Sequence, residues 1–435
     1  MKIGIVGLGY VGLTLGIASA IKGIDVVGVE KNKKILDSLR KGKAHFYEPG
    51  INNHLNHVLN RNLKVLGGYD HTEEFDVFII TVGTPLKKGT KEPNYEYLKS
   101  AIDMIADHYS GDQVIILRST VSVGTSNEIV IPYLKEKLNL NEDKIHVSFC
   151  PERTIEGNAI NELFSLPQII GSNNKTAYNK AEFFFREITP YIIKVDSLEA
   201  AELVKLFNNT YRDIHFAMGN AFNEIAQSFG LNGYDVIKAS NQGYKRSNIA
   251  LPGYVGGPCL EKDPYILSVN MPEIEGKNFV LNARRFNESL EDLVVNWVID
   301  TTENLNLERK IGISGLAFKG IPDTSDLRGS NAVNIALKLK GQGFDLEIHD
   351  YLADPYEMID LNLGVIQQDL LKLVSNNRII LLMNNNPRYK KLDFTSIAQF
   401  EEDKIILDSW NVFDLKTKIN ETVEIKTLGN FLVNE

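Results

Sequence analysis

The sequence contains little cysteine: among its 435 residues, only Cys150 and Cys259 carry a thiol. Two cysteines cannot build the disulfide framework of a small secreted domain, so we expect a reduced, cytoplasmic protein. Long basic runs are absent as well, and the net charge is -9. This balance argues against nucleic acid and anionic membrane surfaces as partners. The composition, 43% hydrophobic and 24% charged, predicts two or three globular domains, and no metal site is predicted.

One uncharged run, residues 3–21, has the length of a membrane span or of a signal segment. Glycine interrupts this run at intervals of two to four residues. Such spacing fits a strand, a tight turn and a closely packed helix better than one continuous apolar helix. We therefore expect no membrane span.

The start of the chain combines a short apolar strand, a glycine turn and an apolar helix. The letters GLGYVG at 7–12 match the dinucleotide-binding spacing GxGxxG. In such a motif Gly7 makes the turn, Gly9 admits a pyrophosphate and Gly12 lets the helix pack on the strand. A second strand ends at Glu30, whose carboxylate would accept hydrogen bonds from an adenosine ribose. This order predicts nicotinamide cofactor binding and favours NAD over NADP.

The alternation of strands and helices continues to about residue 153 and predicts a mostly parallel sheet with helices on both faces. Ligands gather at the carboxyl ends of such strands, where Thr84, Thr120 and Glu152 stand. Cys150 ends an apolar strand and is expected to pack in the core. With Lys34, which could also tolerate a 2'-phosphate, the predicted cofactor contacts are Gly7, Gly9, Tyr10, Val11, Gly12, Glu30, Lys34, Thr84, Thr120 and Glu152.

From about residue 198 to 230, apolar residues recur at three- and four-residue steps and predict a long helix. On this helix Lys205 and Asn209 share a face one turn apart. A further helix is expected at about 277–304. The middle of the chain is therefore predicted to be all-helical and to bury its apolar stripes against a second copy, as a homodimer.

A second αβ pattern starts near residue 309 and lacks GxGxxG. Phe318 and Lys319 follow its first strand and would suit a nucleotide base and a phosphate. The predicted fold class is α/β, with two Rossmann-like doubly wound parallel-sheet domains joined by a central all-helical dimerisation region. The predicted domains are 1–196, 197–302 and 303–435.

The segment LPGYVGGPCLEKDPYIL, residues 251–267, surrounds Cys259 with glycines, prolines and charges. The glycines let the backbone approach a ligand closely, and the prolines stiffen the loop. Lys262 and Asp263 give the thiol a polar neighbourhood, whereas a structural cysteine would lie in an apolar run. From the loop alone, a reactive thiol and a tight turn with an incidental cysteine are equally compatible.

Several motifs occur in one order along the chain: FYEPG at 46–50, VGTP at 82–85, STV at 119–121, PER at 151–153, ELVKLFNNTYRD at 202–213, GGPCLEKDP at 256–264 and GLAFKG at 315–320. In this order and spacing the chain resembles, over essentially its full length, the UDP-glucose/GDP-mannose dehydrogenase family of nucleotide-sugar 6-dehydrogenases. The resemblance implies an NAD-binding Rossmann domain, a helical dimerising middle and a UDP-binding Rossmann-like domain.

The activity implied by the resemblance is a four-electron oxidation of the C6 hydroxyl of a UDP-sugar to a uronic acid, with two NAD used in turn. Cys259 is implied to add to the intermediate aldehyde as a thiohemiacetal, which is then oxidised to a thioester. A thiolate at neutral pH needs a nearby cation or dipole, because the pKa of an ordinary cysteine is about 8.5.

The resemblance also implies roles for the polar residues around the sugar. Lys205 and Asn209 would stabilise negative charge on the C6 oxygen. Glu152 would activate the water that hydrolyses the thioester, and Asp263, through water with Thr120, would accept the other proton. Arg246 would reach across the dimer, and the implied substrate contacts are Glu152, Lys205, Asn209, Arg246, Tyr254, Gly257, Phe318 and Lys319.

Different motifs point to different sugars. NNTYRD and CxxxDP are similar to the branch that oxidises UDP-N-acetylhexosamines, either ManNAc or GlcNAc. Pro258 stands where that branch usually has histidine, and Lys262 is closer to the UDP-glucose branch. Trp410 stands where relatives often place an arginine. A UDP-N-acetylhexosamine is the expected substrate, and UDP-glucose is the alternative.

Two other functions fit parts of the sequence. A two-electron β-hydroxyacid-type dehydrogenase shares the Rossmann domain, the helical middle and a helical Lys–Asn pair, but it would not require Cys259. An NAD-responsive scaffold that has lost its chemistry would not need the intact set of catalytic residues. One NADH per substrate would indicate the first function, and steady turnover would exclude the second.

Overall fold

The computed structural model describes residues 1–70, 73–87, 89–393, 397, 403–413 and 422–433. The chain forms two compact units, the first comprising Met1–Asn209 with Tyr265–Ile274 and the second Thr210–Pro264 with Glu275–Glu435. Each unit is built around its own sheet. The finer division into three domains at residues 196 and 302 stays a prediction.

Among its described residues, the first unit contains eight strands: β1 (Lys2–Val6), β2 (Asp25–Val29), β3 (Leu63–Leu66), β4 (Val77–Ile80), β5 (Val114–Leu117), β6 (Val147–Phe149), β7 (Gln168–Ser172) and β8 (Ile192–Lys194). They form one sheet in the order β3-β2-β1-β4-β5-β6-β7-β8, and every neighbouring pair is parallel except β6 with β7. The order reverses between β1 and β4. Ligands of doubly wound sheets bind at the carboxyl ends of the strands beside such a reversal.

The helices of the first unit are α1 (Tyr10–Ile21), α2 (Lys33–Arg40), α3 (Ile51–Val58), α4 (Glu96–Ala106), α5 (Ile131–Leu138), α6 (Ala159–Ser165) and α7 (Lys175–Arg186). Successive residues of a strand face opposite sides of a sheet. In β4, accordingly, Ile79 belongs to one buried apolar cluster, whereas Phe78 and Ile80 belong to another. Burial on both faces explains why the inner strands read as continuous apolar runs.

The middle of the chain, Leu198 to Asn304, consists of helices and loops: α8 (Leu198–Ser228), α9 (Gly233–Asn241), α10 (Gly257–Leu260), α11 (Asp263–Ser268) and α12 (Glu275–Asn304). The two long helices agree with the predicted ones to within about two residues at each end. The predicted cysteine loop contains two short helices, α10 and α11. The sequence pattern does not predict them, because glycine and proline have low helix propensity. Within the described part of the chain, no helix combines the length and apolarity that crossing a membrane requires.

In the part of the second unit that the structure describes there are six strands: β9 (Lys310–Ser314), β10 (Asp345–His349), β11 (Val365–Ile366), β12 (Ile379–Leu382), β13 (Lys404–Asp408) and β14 (Val423–Thr427). Their order is β11-β10-β9-β12-β13-β14, and all neighbouring pairs are parallel. Helices α13 (Asn331–Gly341), α14 (Pro355–Asp360) and α15 (Leu370–Asn376) accompany this sheet. Two parallel-sheet α/β regions with helices between them confirm the predicted fold class.

The sequence pattern does not predict strands β3, β7, β8, β11 and β14. Four of them lie at sheet edges, and the fifth, β7, lies next to an edge and runs antiparallel to β6. Edge strands are short and half-solvated, so they lack the continuous apolar run that marks an inner strand.

Candidate active site

The glycines of the dinucleotide motif occupy the positions that the sequence assigns to them. Gly7 has a φ of +93°, a conformation that favours glycine, and its N–H donates to the carbonyl of Val29 at 2.9 Å. A Cβ at Gly12 would collide with the carbonyl oxygen of Gly7, whereas a Cβ at Gly9 would meet no atom within 4 Å. Gly12 is therefore required for packing, and the backbone at Gly9 stays open to a ligand.

A cleft of ≈ 380 Å³ opens at the carboxyl ends of β1 and β4, with Gly7, Gly9, Glu30, Thr81, Val82 and Tyr97 among the residues that line it. The Glu30 carboxylate accepts hydrogen bonds from Leu8 N at 3.1 Å and from Asn32 N at 2.8 Å. A carboxylate has about four acceptor positions, so two more can receive ribose hydroxyls. Lys34 lies exposed on the first turn of α2. The cleft fits NAD in position, polarity and glycine spacing.

Glu48, in the FYEPG motif, joins the cofactor turn to a distant loop. Its carboxylate accepts hydrogen bonds from the hydroxyl of Tyr10, from Gly157 N at 2.7 Å and from Ala159 N at 2.7 Å. Tyr10 and the partly buried Val11 begin α1, directly after the turn. Glu48 therefore ties the start of α1 to the segment that follows Glu152. The FYEPG motif is visible in the sequence, but no local pattern predicts this role for Glu48.

For Glu48→Gln we expect the KM for NAD to rise roughly tenfold and the Tm to fall. An amide cannot accept from all three donors, and a hydrogen bond to a charged group contributes about 1.5–3 kcal/mol. Initial rates at saturating substrate and calorimetry measure the two quantities. Glu136→Gln, at an exposed position on α5, is the control. An unchanged KM in a Glu48→Gln protein would contradict this role.

Lys205 and Glu152 form a largely buried ion pair in the first unit. Lys205 Nζ lies 3.7 Å from Glu152 Oε2, and the two side chains are only 8% and 12% exposed. The other oxygen of Glu152 accepts a hydrogen bond from Thr154 N. Asn209 is also buried and lies one turn beyond Lys205 on α8. A cation, a carboxylate and an amide thus occur together, as general acid–base chemistry on a polarised oxygen requires.

Glu202, which no local sequence pattern singles out, anchors helix α8 one turn before Lys205. The Glu202 carboxylate accepts hydrogen bonds from Gly124 N at 2.7 Å, Ser126 N at 2.9 Å and Ser126 Oγ at 2.6 Å. Burial raises the pKa of Glu202 to about 7. These bonds fix the position of Lys205 along the α8 axis relative to the loop after β5, which carries Thr120.

The loops after β4 and β5 lie side by side. The hydroxyl of Thr84 donates to the carbonyl of Thr120 at 2.5 Å, and the hydroxyl of Ser119 donates to the carbonyl of Val82 at 2.6 Å. Thr84 is buried and Thr120 is half-buried. The two threonines that the sequence places at strand ends are therefore neighbours in space.

Cys259 is exposed in the second unit, whereas Cys150 is fully buried in the first. Burial raises the pKa of the Cys150 thiol, which disfavours the reactive thiolate and agrees with the predicted packing role. Gly257, two residues before Cys259, has a φ of +88°, and a Cβ there would lie 2.6 Å from the ring of Phe318. The cysteine segment thus packs against the aromatic ring predicted to hold a base.

The other predicted residues of the second unit have these surroundings. Asp263 is fully buried, and its Oδ1 lies 3.4 Å from Lys262 Nζ. The hydroxyl of Tyr254 is 3.2 Å from Ser409 Oγ. Lys319 Nζ lies 5.4 Å from the centre of the Phe318 ring, and the exposed Arg246 stacks on the ring of Tyr244.

Comparisons with known proteins give one consistent result. The NAD-binding domain of the UDP-glucose/GDP-mannose dehydrogenase family matches residues 1–189, its central domain matches 199–289, and its UDP-binding domain matches 312–415. The chain is 32% identical to the UDP-N-acetyl-D-mannosamine dehydrogenase of Pyrococcus horikoshii, over 95% of this chain and 96% of that one. It is also 32% identical to the enzyme of the same name from Methanocaldococcus jannaschii, over 99% and 96%. A solved structure of UDP-D-ManNAc dehydrogenase from Pyrococcus horikoshii superimposes with a TM-score of 0.89 at 31% identity, covering 100% of both chains.

Proposed function

Because the chain belongs to the UDP-glucose/GDP-mannose dehydrogenase family, we propose that it oxidises the C6 hydroxyl of UDP-N-acetyl-D-mannosamine to a carboxylate. Its enzyme class and cofactor, an NAD-dependent UDP-sugar dehydrogenase, follow from that membership. The choice of sugar rests on the relatives, since those of 32% identity are named for UDP-N-acetyl-D-mannosamine. The four-electron chemistry rests on one observation, the exposed thiol of Cys259 in a segment packed on Phe318.

Cys259 supplies the nucleophile in this proposal. Its thiolate adds to the aldehyde carbon C6, so a carbon–sulfur bond forms and the carbonyl oxygen becomes an alkoxide. Loss of the second hydride from C6 restores the carbonyl as a thioester. Water then attacks C6, the carbon–sulfur bond breaks, and the thiolate leaves as the carboxylate forms. Two molecules of NAD, bound in turn in the cleft of the first unit, would each accept one hydride.

The polar residues move protons and stabilise charge. Lys205 and Asn209 donate to the C6 oxygen while it carries negative charge, and each such donor is worth about 3–4 kcal/mol of barrier. Glu152 takes a proton from the attacking water during thioester hydrolysis. Asp263 takes the proton of the alcohol in the first oxidation. The largely buried Lys205–Glu152 pair supports these assignments.

The nucleotide portion of the substrate is assigned to the second unit. The family's UDP-binding domain matches residues 312–415, which include Phe318 and Lys319. An aromatic face and an ammonium suit a uracil base and a diphosphate. Tyr254 and Gly257, in the cysteine segment, are proposed to contact the sugar portion of the substrate. Arg246, which is exposed, is proposed to contact the substrate of a second copy.

A panel of nucleotide sugars tests the substrate assignment. NADH formation is measured with UDP-ManNAc, UDP-GlcNAc, UDP-glucose and GDP-mannose at matched concentrations. We expect kcat/KM for UDP-ManNAc to exceed the others by at least about tenfold. A site whose polar groups hydrogen-bond one sugar leaves those groups unpaired when a different sugar binds, and unpaired buried polar groups are costly. A preference for UDP-glucose, which Lys262 would favour, would overturn the sugar assignment while keeping the enzyme class.

A homodimer is also proposed, because one face of α8 exposes apolar side chains. Tyr211 is 66%, Met218 42%, Phe222 41% and Ile225 55% exposed, and their spacing places them along one side of the helix. An exposed apolar stripe of this kind marks an interaction surface. The reduced state that two cysteines suggest leads us to propose a cytoplasmic location as well.

For Ile225→Glu we expect the native mass in light scattering to fall from twice the chain mass to the chain mass. A buried, unpaired carboxylate at the interface would cost more than the apolar contact contributes. Glu224→Gln, at the neighbouring exposed position, should leave the native mass unchanged. A wild-type protein that is monomeric at micromolar concentration would contradict the dimer.

A further inference from the structure

Arg284, on α12, is one of the largest fully buried side chains in the described part of the chain. Its Nη1 lies 2.6 Å from Asp213 Oδ1 of α8, and both side chains are at most 1% exposed. A buried ion pair gains little stability, because the desolvation of the two charges offsets their attraction. The presence of the Arg284–Asp213 ion pair in a helical core therefore calls for a reason other than stability.

Arg284 also holds the cysteine segment through Nη1 and Nη2, while its Nε lies 3.5 Å from Glu288 Oε1. Its Nη2 donates to the carbonyl of Val255 at 3.0 Å, and its Nη1 donates to the carbonyl of Leu260 at 3.2 Å. These carbonyls lie four residues before and one residue after Cys259. One rigid guanidinium therefore fixes both ends of the backbone segment that carries the thiol, a task that the flexible lysine ammonium does poorly.

A second clamp acts at Gly253, which lies in the loop between α9 and α10. The Asn220 side chain donates to the Gly253 carbonyl at 3.0 Å and accepts from the Gly253 N–H at 3.0 Å. Asn287 joins the two clamps, since it donates to Asp213 Oδ1 at 3.0 Å and accepts from Asn220 at 3.1 Å. The polar network is thus continuous from α8 to α12 beneath the segment.

The opposite side of the segment is also fixed. The Gly257 N–H donates to the carbonyl of Gly329 at 2.7 Å, and the ring of Phe318 fills the space where a side chain at 257 would begin. Backbone contacts therefore hold the segment from two sides, while the Cys259 side chain stays exposed. This is the geometry expected of a preorganised nucleophile.

We propose that Arg284 is a positioning residue, which holds the Val255–Leu260 backbone so that the Cys259 thiolate meets the aldehyde before the aldehyde departs. The expected effect of Arg284 on turnover rests on the proposed function. The clamp itself is a property of the fold and can be measured without turnover.

Arg284→Lys keeps the charge and removes the fork of donors, and the exposed Arg285→Lys on the same helix is the matched control. Hydrogen–deuterium exchange is followed in the peptide covering residues 253–260. We expect exchange there to accelerate at least tenfold in Arg284→Lys, with little change in the peptides of β9 to β14 and with a Tm that shows a folded protein. Arg285→Lys should exchange like the parent.

Aldehyde escape is the second readout. Turnover of UDP-ManNAc is run with an excess of a carbonyl-trapping hydroxylamine, and trapped aldehyde is compared with uronate. We expect the aldehyde fraction to rise at least tenfold in Arg284→Lys, while the KM for the UDP-sugar changes less than threefold. A residue that only stabilises the fold would lower the amount of active enzyme without changing this ratio.

Asn220→Ala removes the separate clamp on Gly253. This variant provides the same test if Arg284→Lys does not fold. It should raise exchange and aldehyde escape in the same direction. Folded variants with parent-like exchange at 253–260, or with a parent-like aldehyde fraction, would overturn the proposal. If the parent forms no uronate from any UDP-sugar, the proposed function fails, and the exchange measurement still decides whether Arg284 holds the segment.

Discussion

Replacing Cys259 with serine is expected to lower uronate formation by at least about 10³-fold, because the essential nucleophile is lost. The first oxidation, from alcohol to aldehyde, needs no sulfur and should be impaired much less. An alkoxide from serine forms far less readily at neutral pH than a thiolate, so a hemiacetal would accumulate poorly and the second hydride would not leave. A single turnover with excess enzyme should therefore release one NADH instead of two.

Rapid-quench analysis of NADH, trapped aldehyde and uronate measures these steps separately. Cys150→Ala is the matched control, because it removes the other, buried thiol and should retain the parent's ratio of NADH to uronate. Full uronate production by the Cys259→Ser protein would show that no covalent sulfur intermediate is needed. A loss of both oxidations to the same extent would instead indicate that Cys259 acts through binding or folding.

For Lys205→Ala we expect kcat to fall by about 10²–10³-fold, the size of effect that follows the loss of one donor to a developing oxyanion. The KM for the UDP-sugar should change much less, because the ammonium acts on C6 and not on the nucleotide. The variant also leaves Glu152 without the cation 3.7 Å away. Initial-rate kinetics over a range of UDP-sugar concentrations separate the two parameters.

Lys41→Ala, at an exposed position after α2, controls for the loss of one positive charge. Lys205→Arg tests geometry, since the larger guanidinium keeps the charge but not the shape of the donor. It should recover only part of the lost kcat. A Lys205→Ala protein with an unchanged kcat would remove this residue from the reaction, and a change confined to KM would assign it to ground-state binding.

Much of the fold follows from local patterns in the sequence. The glycine turn at Gly7, the apolar inner strands and the three- and four-residue spacing of α8 each depend on neighbouring residues, so they can be read from the sequence. The edge strands could not be, because partial burial leaves little periodic signal. The short helices around Cys259 were also concealed, since Gly257 and Pro258 begin α10 with residues that usually interrupt helices.

The candidate site divides in the same way. Residues with a distinctive local setting, such as Glu30 after β2 and Cys259 among glycines, could be singled out from the sequence. Glu48, Glu202 and Arg284 could not, because their partners are far away along the chain. The bond from Ala159 to Glu48 spans 111 residues, and the bond from Ser126 to Glu202 spans 76. Such residues look like ordinary surface charges until the fold brings their partners to them.

The stoichiometry of the reaction tests the central claim most directly. Purified enzyme, limiting UDP-ManNAc and excess NAD are allowed to react to completion, and NADH is counted against the sugar consumed. Two NADH for each UDP-ManNAc, with uronate as the product, is the expected result. One NADH for each sugar, with the aldehyde or another two-electron product left in solution, would contradict oxidation through a Cys259 thioester.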